Sequence, residues 1–276
     1  MFSKIIKNVK NNTPLVHNIT NYVTVNDCAN VLLACGGSPI MADDVEEVEE
    51  IVSISSALVL NIGTLNSRVI ESMIKAGKKA NELNIPVILD PVGAGASKLR
   101  TDTAFRLLNE VKFAVVRGNM SEIKALGNTD AKGARGVDAD VADSINEENL
   151  TEVIEYIKLL SERMSLVVAV TGAIDIVSDG TKTYIIRNGH PMMGKISGTG
   201  CMLSSTIGAY CGANKDNIID ATAAAVCIMG LSGELAYEKM KKNDEGTSMF
   251  RSHLIDFMSK IDDEMLKEGA KFETRQ

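Results

Sequence analysis

Four short apolar runs constrain this chain more than anything else in it: "ALVLNIG" at 57–63, "PVILDPVGAG" at 86–95, "FAVVRGN" at 113–119 and "LVVAVTG" at 166–172. Each is rich in Val, Ile and Leu, is nearly continuous rather than alternating, and ends in polar or glycine residues. A strand covered on both faces of a parallel sheet reads this way. Between the first two lies "NSRVIESMIKAGKKANEL", with Val69, Ile70, Met73, Ile74 and Ala80 at helical spacing. Between the next two, "TDTAFRLLNEV" puts Phe105, Leu108 and Val111 on one face. Strand and helix in alternation imply right-handed crossovers and an α/β fold, a mostly parallel central sheet with helices on both faces. The steps from Asn61 to Asp90 and from Asp90 to Arg117 are 29 and 27 residues, and the step from Arg117 to Thr171 is 54. The long step holds a polar, Gly/Asp-rich stretch over 128–150. It reads as a short helix after Asn119, then a mobile excursion, then the helix "TEVIEYIKLLSERM".

"IDIVSDGTKTYIIRNGH" changes character. Two short strands around the Asp179-Gly180 turn predict a hairpin forming an antiparallel edge. Everything after it reads as helical: "CMLSSTIGAYCGA", then the small-residue-rich "NIIDATAAAVCIMGLSGELAYEKM", then "SMFRSHLIDFMSKIDDEML". That last stretch has Phe250, Leu254, Phe257, Met258, Ile261 and Met265 on one stripe, with Thr247 or Ser248 as its cap. Near the start, "NYVTVNDCANVLLACGG" predicts a helix ending at Gly36-Gly37. "DDVEEVEE" predicts a helix with a solvated acidic face. No linker divides the chain, so residues 1–276 form one domain.

The bulk composition narrows the function. A net charge of −7 argues against a general binder of nucleic acid or of anionic membranes. No apolar run reads as a membrane span. The five cysteines include no Cys-x-x-Cys pair, and no secretory leader precedes them. They predict reduced thiols in a cytoplasmic protein. Cys28, Cys35, Cys211 and Cys227 fall in apolar helical surroundings and read as small buried hydrophobes. His17, His190 and His253 are far apart in sequence, which disfavours a His/Cys metal site. His17 falls before the first long helix, in what reads as a loop, and suits a structural hydrogen bond.

In an open α/β sheet, ligands bind beyond the carboxyl ends of the strands. Here those ends are Asn61-Ile62-Gly63, Asp90 to Gly95, Arg117-Gly118-Asn119 and Thr171-Gly172. Asp90 suits Mg²⁺ held through water, or else it caps the turn at Gly93. Glu122 stands three residues after Asn119 at the start of a helix, and its plainer reading is a capping box with Asn119. Arg117 suits pairing with phosphate and Thr171 hydrogen bonding to it. The strongest local signal is Gly198-Thr199-Gly200-Cys201 opening a helix. Successive backbone N–H groups there form an anion nest, suited to a phosphoryl group in flight. The plainer reading is close helix packing around small residues. Neither a phosphate loop ending in Gly-Lys-Ser/Thr nor a dinucleotide fingerprint is present.

Taken in order, Val16-His-Asn-Ile-Thr-Asn21, Gly37-Ser-Pro-Ile-Met-Ala42, Leu60-Asn-Ile-Gly-Thr64, Asp90-Pro-Val-Gly-Ala-Gly, Arg117-Gly-Asn-x-x-Glu122, Thr171-Gly-x-x-Asp175 and Gly198-Thr-Gly-Cys201 resemble the hydroxyethylthiazole kinase family, within the ribokinase-like superfamily. The resemblance spans about Leu15 to Glu234. It implies phosphorylation of the side-chain hydroxyl of 4-methyl-5-(2-hydroxyethyl)thiazole by ATP with Mg²⁺, giving the thiazole phosphate for thiamin phosphate synthesis. It implies nucleotide contacts at Arg117, Thr171 and Asn119, thiazole contacts at Asn21, Met41 and Gly198, and metal contacts at Asp90 and Glu122. It also implies a homotrimer with the site near a subunit boundary. Other ribokinase-like kinases carry an Asp base where Cys201 stands. A helix N-terminus lowers a thiol pKa, yet a loose transition state needs little early proton removal. Cys201, with Gly198, Thr199 and Gly200, is therefore expected to seat the reacting groups and to act as a weak base at most. The rivals are a kinase of another small primary alcohol, hydroxymethylpyrimidine-like, a dehydratase of hydrated nicotinamide nucleotides, and a sensor without turnover.

Overall fold

The computed structural model describes residues 2–127 and 144–276. Most of the polar stretch read as an excursion, 128–143, lies outside the described residues. In chain order the elements are α1 (Ser3–Asn12), β1 (Leu15–Ile19), α2 (Val25–Cys35), β2 (Ser38–Ile40), α3 (Val48–Ser53), β3 (Ala57–Asn61), α4 (Ser67–Glu82), β4 (Val87–Asp90), α5 (Lys98–Glu110), β5 (Val115–Asn119), α6 (Met120–Gly127), α7 (Leu150–Met164), β6 (Val167–Thr171), β7 (Asp175–Ser178), β8 (Thr183–Ile186), a 3₁₀ turn (Pro191–Lys195), α8 (Thr199–Ala213), α9 (Ile218–Lys242), α10 (Thr247–Lys260), α11 (Asp263–Gly269) and β9 (Phe272–Arg275).

The strands form one sheet in the order β2-β1-β3-β4-β5-β6-β7-β8-β9. From β2 to β6 all pairs are parallel, and from β6 to β9 all are antiparallel. The continuous apolar runs have the expected cause. Successive side chains point to opposite faces, and both faces are covered. Ala57 and Val59 join a core with α1, α2, α8, α9 and α10. Leu58 and Leu60 join a second core with α4, α5, α6 and α7 on the other side. In-register parallel pairing aligns Asn61 with Asp90, and Asn119 with Thr171. The recurring polar residues are thereby brought to one edge of the sheet.

α8 lies against the centre of that sheet. Its residues Met202 to Cys211 are all buried, as expected of a helix apolar all round. Close approach requires small residues. A Cβ on Gly208 would lie 2.7 Å from Val59 and 2.9 Å from Val16. α9 is long and apolar enough to span a bilayer by length and composition, contrary to the expectation that no run would be. Here 72% of its apolar window is buried inside the fold, which marks it as a core helix.

Several expectations need correction. The hairpin β7–β8 is formed, but it is not the edge. β9, from a tail read as helical, pairs with β8 and places Phe272 against Phe2 and Tyr184. The last helix is two helices. Ile261 leaves helical geometry, and Asp262 caps α11 by accepting from the Glu264 and Met265 N–H groups. Thr247 is the first residue of α10 rather than its cap, which is Gly246. α3 covers only the end of the acidic run. α1, β1 and β2 had not been predicted. His17 sits inside β1, fully buried, where its Nε2 lies 2.7 Å from the Ala42 carbonyl oxygen.

Gly208→Val is expected to cost about 1–3 kcal/mol through overpacking between α8 and the sheet. Gly246→Ala, with open space around it, should change stability by less than ~0.5 kcal/mol. Denaturant unfolding of both variants checks this.

Candidate active site

The site begins with a buried charge. Asp90, the last residue of β4, is fully buried. Its Oδ2 accepts from Asn61 Nδ2 at 2.7 Å and from Ser204 Oγ at 2.8 Å, and Arg117 Nη1 lies 3.7 Å away. Its Oδ1 is buried with no hydrogen-bond partner. Burial holds the Asp90 carboxyl above the usual range, against the pull of Arg117, Ser204 and Asn61. It does not cap the turn at Gly93. That N–H goes to Glu122 Oε1 at 2.9 Å.

Asn61 links this carboxylate to the thiol. Its Nδ2 also points at Cys201 Sγ, at 3.3 Å, and Asn21 Nδ2 reaches the same sulfur at 3.2 Å. The Asn61 Oδ1 accepts from Asn21 Nδ2 at 3.1 Å and from the Gly63 N–H at 2.9 Å. The Asn21 Oδ1 in turn accepts from the Thr24 N–H and hydroxyl. Cys201 is half-buried. The helix N-terminus does not prevail at this thiol. Burial first, and the Asp90 charge second, push its pKa up, so at neutral pH it carries its proton.

The nest itself is present. Gly198 caps α8 with φ +90°, a left-handed conformation that suits glycine. The first helical bond runs from the Met202 N–H to the Gly198 carbonyl. The preceding N–H groups, those of Thr199, Gly200 and Cys201, have no intrahelical acceptor. Arg117 lies flat on this turn. A Cβ on Gly200 would fall 2.5 Å from its Nη1. Arg117 Nη2 donates to Thr171 Oγ1 at 2.6 Å, and its Nε is buried without a partner. Beyond Arg117 and Thr171 opens a cleft of 510 Å³. Asp175, Thr199, Leu203 and Met229 are among the residues that line it. Burial pushes the Asp175 carboxyl up to about 7 despite the Gly172 N–H it accepts.

Glu122 and Asn119 form the capping box. The Asn119 N–H donates to Glu122 Oε2, and the Glu122 N–H to Asn119 Oδ1, both at 2.9 Å. With Gly93 on its other oxygen, Glu122 ties the loop after β4 to the start of α6. Met41 follows β2 at the sheet edge, separated from β4 by β1 and β3. Of the candidate residues, the structure thus joins Asn21, Asp90, Arg117, Thr171, Gly200 and Cys201 in one connected group. Gly198 and Thr199 belong to the same turn. Asn119 and Glu122 adjoin it through Gly93, and Met41 makes no hydrogen bond to it. Sequence reading passed over Ser204 and Thr24. Ser204 had a signal, since it follows Cys201 by three on one helix and so shares its face.

Comparison with known proteins shows the family of the chain. The sequence model of the hydroxyethylthiazole kinase family matches residues 6–264, and the chain belongs to that family. A hydroxyethylthiazole kinase of Clostridium acetobutylicum is 56% identical, over 99% of this chain and 100% of that one. The structure of a hydroxyethylthiazole kinase protein from Pyrococcus horikoshii OT3 superposes with a TM-score of 0.88 at 37% identity, covering 100% of this chain and 99% of that one. A ribokinase-like superfamily protein from Enterococcus faecalis V583 shares the fold alone, with a TM-score of 0.59 at 14% identity over 91% and 88%.

Iodoacetamide reacts with thiolate, so labelling of Cys201 is expected to inflect above the ordinary thiol value of 9.0. Asp90→Asn removes the second cause and should lower the inflection. Mass spectrometry of labelled protein against pH reads both, and an inflection below 9.0 in the wild type would contradict the assignment.

Proposed function

We infer that this member of the hydroxyethylthiazole kinase family transfers the γ-phosphoryl group of ATP to the side-chain hydroxyl of 4-methyl-5-(2-hydroxyethyl)thiazole, giving the thiazole phosphate used to make thiamin phosphate. The observation that carries the reading is the meeting of Cys201, Asn21 and Asn61 with Asp90, Arg117 and the glycine turn. One half of that group suits a small alcohol, and the other suits a phosphoryl group. The alternative, a hydroxymethylpyrimidine-like alcohol, is not favoured by the family match.

The nucleotide fits the 510 Å³ cleft, with its phosphates toward Arg117 and Thr171, which line it. Asn119 is not among the lining residues and reaches the nucleotide only from its place beside Thr171 in the sheet. Arg117 and the N–H groups at the start of α8 are aimed where charge spreads over the equatorial oxygens. The alcohol oxygen attacks the γ-phosphorus as the bond to the ADP oxygen breaks. The thiazole end is read as lying toward Asn21, Met41 and Gly198. Cys201, protonated and held by two amides, seats the hydroxyl rather than stripping it. In a loose transition state the proton leaves late, to an oxygen of the transferred phosphoryl group or to water, and orientation supplies much of the rate.

Mg²⁺ fits this site on one observation, the buried and unpartnered Asp90 Oδ1. Among the described residues no group of three or more His, Cys, Asp or Glu gathers as a cage. That suits an ion which keeps water and takes phosphate oxygens. Asp90 would hold it, and Glu122, whose charge reaches Asp90, would face it. Bound there, the ion would supply neutralisation of phosphate charge.

The reading extends to a cytoplasmic homotrimer with the site near a subunit boundary. All five cysteines are free. Tyr22 and Val23, next to Asn21, are 79% and 63% exposed, and a neighbouring copy would cover them.

A coupled assay for ADP release with a panel of alcohols tests the reaction. Turnover is expected with hydroxyethylthiazole and not with hydroxymethylpyrimidine, and the reverse preference overturns the reading. Cys201→Ala should lower kcat by less than ~10²-fold, the lower bound of what a full general base contributes. Total loss with unchanged substrate binding favours an obligatory base. Sedimentation equilibrium should give three times the 29.6 kDa chain mass, and a monomer mass contradicts the trimer.

A further inference from the structure

We propose that Arg100 is a positioning residue for phosphoryl transfer. Its guanidinium joins the loop that follows Asn61 to the loop that follows Asp90, and so steadies the seat of the alcohol against the seat of the phosphoryl group. The inference rests on the site reading given above.

Arg100 stands in the first turn of α5, where Ser97 caps the helix by accepting its N–H. Its Nη2 donates to the Gly63 carbonyl at 2.7 Å, and its Nη1 to the Val92 carbonyl at 2.8 Å. These carbonyls follow two adjacent strands, β3 and β4. Among the described residues no carboxylate pairs with Arg100, so a half-buried cation directs its donors at two backbone oxygens. The planar fork of a guanidinium can hold two acceptors in a fixed relation, which the single point of an ammonium cannot.

Each bonded loop leads to one half of the chemistry. The Gly63 N–H holds the Asn61 carboxamide, which points at Cys201 Sγ. A Cβ on Gly63 would fall 2.9 Å from Asn61 Oδ1 and 2.9 Å from Asn21 Cβ, so this peptide is pressed onto both amides that hold the thiol. Val92 lies two residues after Asp90. The next residue, Gly93, takes φ +73°, and a Cβ there would lie 2.5 Å from Arg100 Nη1. The loop therefore lies close against the guanidinium, and the Gly93 N–H is held by Glu122. A second tie, from the Gly95 N–H to Thr101 Oγ1 at 2.9 Å, binds the same loop to α5. Asn61 and Asp90 also bond directly through their side chains, and the Ile62 N–H donates to the Asp90 carbonyl oxygen at 3.2 Å. Arg100 carries that tie beyond the strand ends, from Gly63 to Val92.

The geometry predicts a defect in alignment rather than in binding. In Arg100→Met, kcat is expected to fall about 10- to 100-fold, as displacements near 1 Å at a reacting pair do. KM for ATP and for hydroxyethylthiazole should shift by no more than roughly threefold. ADP released per thiazole phosphate formed should rise above one as water replaces the misaligned alcohol. Arg100→Lys should recover only part of kcat, and millimolar guanidinium should restore part of it in Arg100→Ala. Circular dichroism melts give the folded fraction of each variant. Unchanged kcat in folded Arg100→Met overturns the proposal. So does a loss that tracks unfolding and that guanidinium does not relieve, or a raised KM for ATP with kcat kept. Asp90→Asn, assayed alongside, separates the two levels. If it keeps full activity the site reading fails. If it loses activity while Arg100→Met does not, only the present inference fails.

Discussion

The fully buried carboxylate of Asp90 is the charge around which the strand-end edge is organised. A carboxylate taken out of water is costly unless it is paired and hydrogen-bonded. The chain supplies Asn61 from β3, Ser204 from α8 and Arg117 from β5. Three elements far apart in sequence are thereby tied to a fourth. One oxygen remains without a protein partner. In a structural ion pair that would be a defect. In the proposed reaction it is the acceptor that an ion or its water would take.

The same charge explains the thiol. At a helix N-terminus a cysteine is expected to acidify, but Cys201 is half-buried and within reach of the Asp90 field, and both influences favour the neutral form. The amides of Asn21 and Asn61 hold the sulfur in place without generating a thiolate. A neutral, held group is suited to seating an alcohol. In the proposed reaction, the burden of catalysis would then fall on orientation and on the positive groups around the phosphoryl position, Arg117 and the N–H groups of the glycine turn.

The edge is shaped as much by missing side chains as by present ones. At Gly200 and Gly93 an added Cβ would strike an arginine, and at Gly208 it would strike the sheet. Small residues let α8 sit close enough for Ser204 and Cys201 to reach strands β3 and β4. The plainer reading of the glycine turn, close packing, and the functional one, an anion nest, therefore describe the same geometry. Glu122 is alike in this respect, because its capping box is formed and its second oxygen still fixes the loop after Asp90.

The sequence by itself determined the strand–helix alternation and the strand-end positions of Asn61, Asp90, Arg117 and Thr171. Continuous apolar runs and their spacing record two-sided burial and crossover length, which are local properties. It also marked the glycine turn, because such a turn is written in consecutive residues. Only the tertiary structure decided the rest. β9 has no distinct pattern, and it forms because β8 offers an open edge. α10 and α11 read as one stripe, and Asp262 divides them by capping. Asn21, Ser204 and Arg100 joined the site through hydrogen bonds spanning 180, 114 and 37 residues. Nothing local marks Asn21 or Arg100 as such a partner, and Ser204 is marked only by sharing a helix face with Cys201. The direction in which Cys201 titrates was likewise decided in three dimensions, since a thiol's acidity depends on the burial and charge that folding brings to it.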